Sequence, residues 1–132
     1  MDMKAASSAD TEEARAAAAR IASAYARAIE GRDPSLLISL YREDCEHILI
    51  NRNAPPSRPI VLRGRAAVAA MWEEDCGRDM THRVESIIAT HDRLAFYMTC
   101  QYPDGTRVAG MGTSELQDGV IVRETTIECW DE

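Results

Sequence analysis

The sequence predicts a single α+β domain, helices first and a meander of strands after. Three observations carry that expectation. A helical apolar stripe runs through residues 11–30 and stops at Gly31; a second helix signal, Asp33-Pro34, follows at once; and from His82 onward the apolar period changes to two. A chain of 132 residues is large enough to bury one core and small enough to need only one.

Residues 1–10 are small and polar, too poor in apolar groups to offset the entropy of ordering them, and read as a loose tail ahead of a domain over 11–132. Asp10 or Thr11 is the N-cap of the first helix, with Glu12 and Glu13 in the turn where the helix dipole favours carboxylates. Its stripe is Ala14, Ala17, Ala18, Ile21, Tyr25, Ala28 and Ile29, which turns Tyr25 inward. Asp33 as N-cap and Pro34 at the first helical position start a short helix over 34–41, with Leu36, Leu37 and Leu40 on its buried side. Cys45–Ile50 reads as a strand. Residues 51–59 hold three prolines and no periodicity, hence a loop.

Gly64 precedes a helix over 65–76 carrying Val68, Met71 and Trp72 on one face, with Gly77 as its stop. Strands follow over 82–90, 93–102, 106–116 and 120–130, joined by short hairpin connectors at His91-Asp92, Pro103-Asp104-Gly105 and Gln117-Asp118-Gly119. The strands do not alternate cleanly: Ile87-Ile88, Ala95 to Met98 and Val120-Ile121-Val122 are apolar on both sides. A sheet with one wet face alternates more strictly, so both faces are expected to be covered, one by the core and one by a second copy of the chain.

Composition narrows the partners. The formal net charge is −7 and the arginines form no basic stripe, which argues against nucleic acid. No window approaches the ~20 apolar residues of a membrane span. The N-terminus has early acids and no apolar run of the secretory kind, so the expected location is the cytoplasm. Cys45, Cys76, Cys100 and Cys129 show no paired spacing, which makes buried reduced thiols the expectation over a zinc site or disulfides, and no metal or cofactor is expected.

Tyr25…Glu30-Gly31-Arg32-Asp33…Leu40-Tyr41-Arg42-Glu43-Asp44, Gly64-Arg65-Ala66-Ala67-Val68…Met71-Trp72 and Ile127-Glu128-Cys129-Trp130-Asp131 together resemble the nuclear transport factor 2-like superfamily, with its SnoaL-like and ketosteroid isomerase-like branches. The resemblance covers nearly all the chain beyond residue 11. It implies a curved antiparallel sheet wrapped around the N-terminal helices as a cone, a hollow for a small hydrophobic molecule, and a homodimer through the outer sheet face. It does not fix a reaction, since this superfamily hosts isomerases, cyclases, hydrolases, dehydratases and non-enzymatic domains.

By the same resemblance, Tyr25 falls where the steroid isomerases place an oxyanion-hole tyrosine, Leu49 where they have a catalytic aspartate, and Ser114 near their second oxyanion donor. Leucine cannot abstract a proton, which disfavours that steroid mechanism. His47 shares the strand face of Leu49 and titrates in the right range for proton transfer. The family alignment turns Glu124, Thr126 and Glu128 toward the pocket, whereas apolar pattern favours Thr125, Ile127 and Cys129, and both facings stay open. The catalytic candidates are therefore Tyr25, His47 and Glu128, the last as a buried acid or base. The pocket candidates are Leu49, Trp72, Phe96, Met98, Ser114, Glu124 and Thr126. Plainer readings stand beside these: Tyr25 as a core residue, His47 as an ordinary strand histidine, Arg123 in a cross-strand ion pair with Glu124 or Glu115, and His82 and His91 as exposed strand ends.

Two functions follow. One is a cofactor-independent isomerase, cyclase or hydrolase acting by acid–base chemistry on a hydrophobic carbonyl or polycyclic compound. The other is a non-catalytic ligand-binding or dimeric assembly domain on the same fold.

Overall fold

In the computed structural model, which describes residues 11–132, Thr11 caps the first helix, α1 (Glu12–Glu30), its Oγ1 accepting from the Ala14 N–H at 3.0 Å. The tail assigned to residues 1–10 lies outside the described residues. Ala18, Ile21, Tyr25, Ala28 and Ile29 form the buried side of α1. Gly31 ends the helix without entering the left-handed region; a Cβ there would lie 2.9 Å from the Arg27 carbonyl oxygen, so close approach is what requires glycine. The left-handed residue is Arg32, at φ 51°. Asp33 then caps α2 (Pro34–Ser39) through its Oδ1, which accepts from the Leu36 N–H at 3.1 Å.

The second helix is shorter than its sequence signal. Tyr41 does not extend it but opens strand β1 (Tyr41–Ile50), four residues ahead of the expected Cys45. The irregular pairing between Tyr41 and Glu46 explains the difference: a bulge breaks the alternation that would have marked residues 41–45 as strand. After the proline loop comes a strand with no prior signal, β2 (Ile60–Arg63), antiparallel to β1 at the sheet edge. Helix α3 (Arg65–Gly77) buries Val68, Trp72 and Cys76, four residues apart. The chain closes with β3 (Thr81–Ala89), β4 (Arg93–Gln101), β5 (Arg107–Gln117) and β6 (Val120–Trp130).

The sheet order is β2-β1-β6-β5-β4-β3. The α+β class and the meander from β3 to β6 are as expected, but the sheet is mixed because β1 runs parallel to β6. The end of α2 sits beside the turn that starts β6. Ile121 N–H donates to the Leu40 carbonyl at 2.8 Å, and Arg42 Nη1 donates to Gln117 Oε1 at 2.7 Å. Both strands leave from one edge and run the same way. Asp118 and Gly119, both at positive φ, form the two-residue turn between β5 and β6.

The helices cover one sheet face, where the core gathers around Tyr25, Leu37, Tyr41, Trp72, Leu94, Phe96 and Ile121. The non-alternating run at 120–122 has a local cause. Pairing shifts between Glu115 and Leu116, so Val122 is an extra residue, and both Ile121 and Val122 are buried. The outer face carries large apolar side chains in the open: Ile88, Met111 and Ile127 are 66%, 60% and 52% exposed. Register lines up Tyr97, Met111, Ile127 and Ile50 across four strands. Arg123 pairs with Glu46 at 3.3 Å rather than with Glu124 or Glu115. Among the described residues no helix is long and apolar enough to cross a membrane.

Candidate functional site

Strand register stacks the inner face in rows. Leu94, Ser114, Glu124 and His47 form one row; Phe96, Gly112, Thr126 and Leu49 the next; Met98, Gly110 and Glu128 a third. Above these rows, beneath α1 and α3, is a cavity of about 710 Å³, the size of a small-molecule site. Its wall includes Tyr25, His47, Leu49, Trp72, Phe96, Met98, Thr126 and Glu128. The facing of β6 is thereby fixed: Glu124 and Thr126 are buried on the inner side while Ile127 and Cys129 point outward.

Ser114 and Glu124, counted among the pocket residues, do not reach the wall; they lie behind His47 and Thr126 and are each 1% exposed. Glu124 is the hub of a buried network. Tyr41 O–H donates to its Oε1 and Ser114 O–H to its Oε2, both in short hydrogen bonds. Trp72 Nε1–H donates in turn to the Tyr41 hydroxyl oxygen at 3.1 Å. His47 Nδ1 stands 3.2 Å from Glu124 Oε1, close enough for an ion pair but without the alignment of a full hydrogen bond. Loosely aligned contacts of this kind tighten when a substrate binds. On its other side, His47 Nε2 lies 3.1 Å from Thr126 Oγ1.

The nearby carboxylate favours the tautomer with its proton on Nδ1, and in that tautomer Nε2 is the lone-pair nitrogen and accepts from the Thr126 hydroxyl. Burial pushes the His47 pKa down, and the charge of Glu124 partly offsets this, so the imidazole is neutral and ready to take a proton. Burial, and then the charge of Glu124, raise both Tyr25 and Tyr41 well above the ordinary phenol value, which keeps each a protonated donor. The ring of Tyr25 is held against Phe96 at 5.0 Å between centroids.

The three catalytic candidates do not converge. Tyr25 and His47 meet at the Glu124 end. Glu128 stands four residues farther along β6, about 13 Å at the usual strand rise. There its Oε1 accepts from Asn51 Nδ2 at 3.2 Å, and burial raises its carboxyl pKa. Position, not acidity, separates it from His47.

Sequence reasoning missed Tyr41, hidden by the β1 bulge, and Asp75 of α3, which lines the cavity and is pushed up by burial. His82 is not a bare strand end: it is half-buried, with Nδ1 2.9 Å from Cys100 Sγ. Cys45, Cys76 and Cys100 are free and buried, whereas Cys129 is free but exposed, against expectation, because it shares the outer face of Ile127. Among the described residues no three His, Cys, Asp or Glu side chains gather as a metal-ligand set.

Residues 22–124 match the model of the SnoaL-like domain, a span that holds Tyr25, His47 and Glu124. The chain belongs to the SnoaL-like domain family. Solved structures share the fold. A candidate ketosteroid isomerase from Kribbella flavida is 25% identical, with a TM-score of 0.70 over 96% of this chain and 83% of that one. A nuclear transport factor 2-like protein of unknown function from Mesorhizobium loti is 21% identical, with a TM-score of 0.73 over 92% and 96%. A computationally designed binder of 17-OHP is 17% identical, with a TM-score of 0.62 over 83% and 91%. No functionally curated protein matches this SnoaL-like sequence.

Proposed function

We propose that this SnoaL-like protein is a cofactor-independent acid–base enzyme acting on a small, largely apolar carbonyl compound. The observation that carries the reading is a polar end on an apolar cavity. His47 and Tyr25 stand at that end, both tied to the buried Glu124, while Leu49, Phe96, Met98 and Met71 supply an apolar wall. Tyr25 polarises the substrate oxygen, and His47 Nε2 takes a proton from the adjacent carbon. A protonated phenol and a neutral imidazole at one end of an apolar cavity are the two groups such a reaction needs. Glu124 positions the imidazole and stabilises it once protonated.

The wider reading includes a homodimer through the outer sheet face. Its support is the row Tyr97, Met111, Ile127 and Ile50, a contiguous apolar surface that a second copy would cover. It also includes a cytoplasmic location, in keeping with four free thiols. The likeness to a designed binder supports one alternative, that the cavity holds its ligand without turning it over.

The deciding experiment is hydrogen–deuterium exchange at the α-carbon of 1-tetralone in D₂O, followed by NMR. Acceleration by the native chain, lost in His47→Ala and reduced in Tyr25→Phe, supports catalysis. Saturable binding with no exchange supports the binder.

A further inference from the structure

The hydroxyl of Thr126 has a place of its own in this geometry. It lines the cavity, and its Oγ1 is 3.1 Å from His47 Nε2, whose other ring nitrogen is 3.2 Å from Glu124 Oε1. The carboxylate is buried and pinned by Tyr41 and Ser114, so it cannot swing away from the imidazole. A hydroxyl facing a pocket, an imidazole within hydrogen-bond reach of it, and a buried carboxylate behind the imidazole are the parts of an activated nucleophile, recognised by role rather than by chain order. We propose that Thr126, His47 and Glu124 form a nucleophile–base–carboxylate triad that takes the acyl group of a hydrophobic ester onto the Thr126 hydroxyl.

The step balances with water as the only co-reactant. Thr126 Oγ attacks the acyl carbon while its proton passes to His47 Nε2, and the carbonyl π pair moves onto oxygen. The donor the cavity wall offers that oxyanion is Tyr25, a protonated phenol beside Glu124. Collapse restores the carbonyl, breaks the bond to the leaving alcohol or phenol, and returns the proton from His47 to the departing oxygen. Water then attacks acyl-Thr126, giving its proton to His47. Release of the carboxylic acid returns that proton to Thr126. The apolar wall of Leu49, Phe96 and Met98 favours esters of apolar acids over charged ones.

The test uses the full-length chain with Cys129→Ser, because the exposed thiol would itself be acylated. With 4-nitrophenyl butyrate the expected result is a burst of nitrophenol approaching one per chain, and a butyryl adduct mapped by mass spectrometry to the peptide holding Thr126. Thr126→Val, which keeps the shape and removes the hydroxyl, loses burst and adduct by roughly a hundredfold or more; Thr126→Ser retains both. An adduct elsewhere, no adduct, or a Thr126→Val variant that acylates as before overturns the triad. If the valine variant fails to fold, the adduct map of the parent chain and the serine variant decide. Exchange on 1-tetralone is read separately: a parent chain that exchanges but never acylates loses the nucleophile and keeps the proton-transfer reading.

Discussion

Replacing Glu124 by Gln removes one charge from the buried network and leaves its shape almost intact. Three polar groups meet the carboxylate: the hydroxyls of Tyr41 and Ser114 donate to it, and Nδ1 of His47 stands at ion-pair distance. A hydrogen bond to a charged group contributes about 1.5–3 kcal/mol and a neutral one about 0.5–1.5, so each contact loses roughly 1 kcal/mol, near 3 in all. Relief of burying the charge offsets part of that, and the net expected loss is about 2 kcal/mol. For a chain of this length that is a fall of roughly 8 °C in Tm. Urea unfolding at pH 7.5, analysed as two-state, reads it directly. Unchanged or higher stability in Glu124→Gln would mean that these contacts do not outweigh the cost of burying the carboxylate, and would refute the reckoning.

Other expectations follow from the same geometry. His47 has its pKa lowered by burial, so the folded state favours the neutral ring; its stabilisation is present above the ordinary 6.5 and is lost as pH falls through the folded value. The α-proton exchange rate should show an acid limb below the usual histidine range, absent in His47→Ala. Gly112→Ala sets a Cβ against the Thr125 carbonyl oxygen and 2.8 Å from Phe96 Cζ, which should cost about 1–3 kcal/mol in chemical denaturation and move Phe96 into the cavity. Ile127→Lys on the outer face should convert a dimer to a monomer in sedimentation, with the exchange activity of the monomer read alongside.

Much of the fold is legible because local signals agree. Thr11 and Asp33 cap α1 and α2 through their side chains, and Asp118-Gly119 makes the turn that its two positive φ angles demand. The misses share a physical cause: bulges and edges. Tyr41 reads as helix because the bulge after it breaks the period, and Val122 spoils the alternation of β6 for the same reason. Strand β2 is four residues long at the sheet edge, too short to show a period. The parallel pairing of β1 with β6 is a long-range fact that no local pattern carries. The site divides along the same line. His47 and Tyr25 are visible as inward-facing polar residues on apolar elements. The contact of His47 with Thr126, and the retreat of Glu124 behind the wall, depend on register between strands far apart in the chain.

The most direct test of the central claim is a crystal structure with 1-tetralone bound. The ketone oxygen should lie within hydrogen-bond reach of the Tyr25 hydroxyl, its α-carbon within about 3.5 Å of His47 Nε2, and the aromatic ring against Phe96 and Met98. A ketone bound in reverse, with its oxygen at Glu128 and Asn51, or excluded by collapsed side chains, would contradict the account.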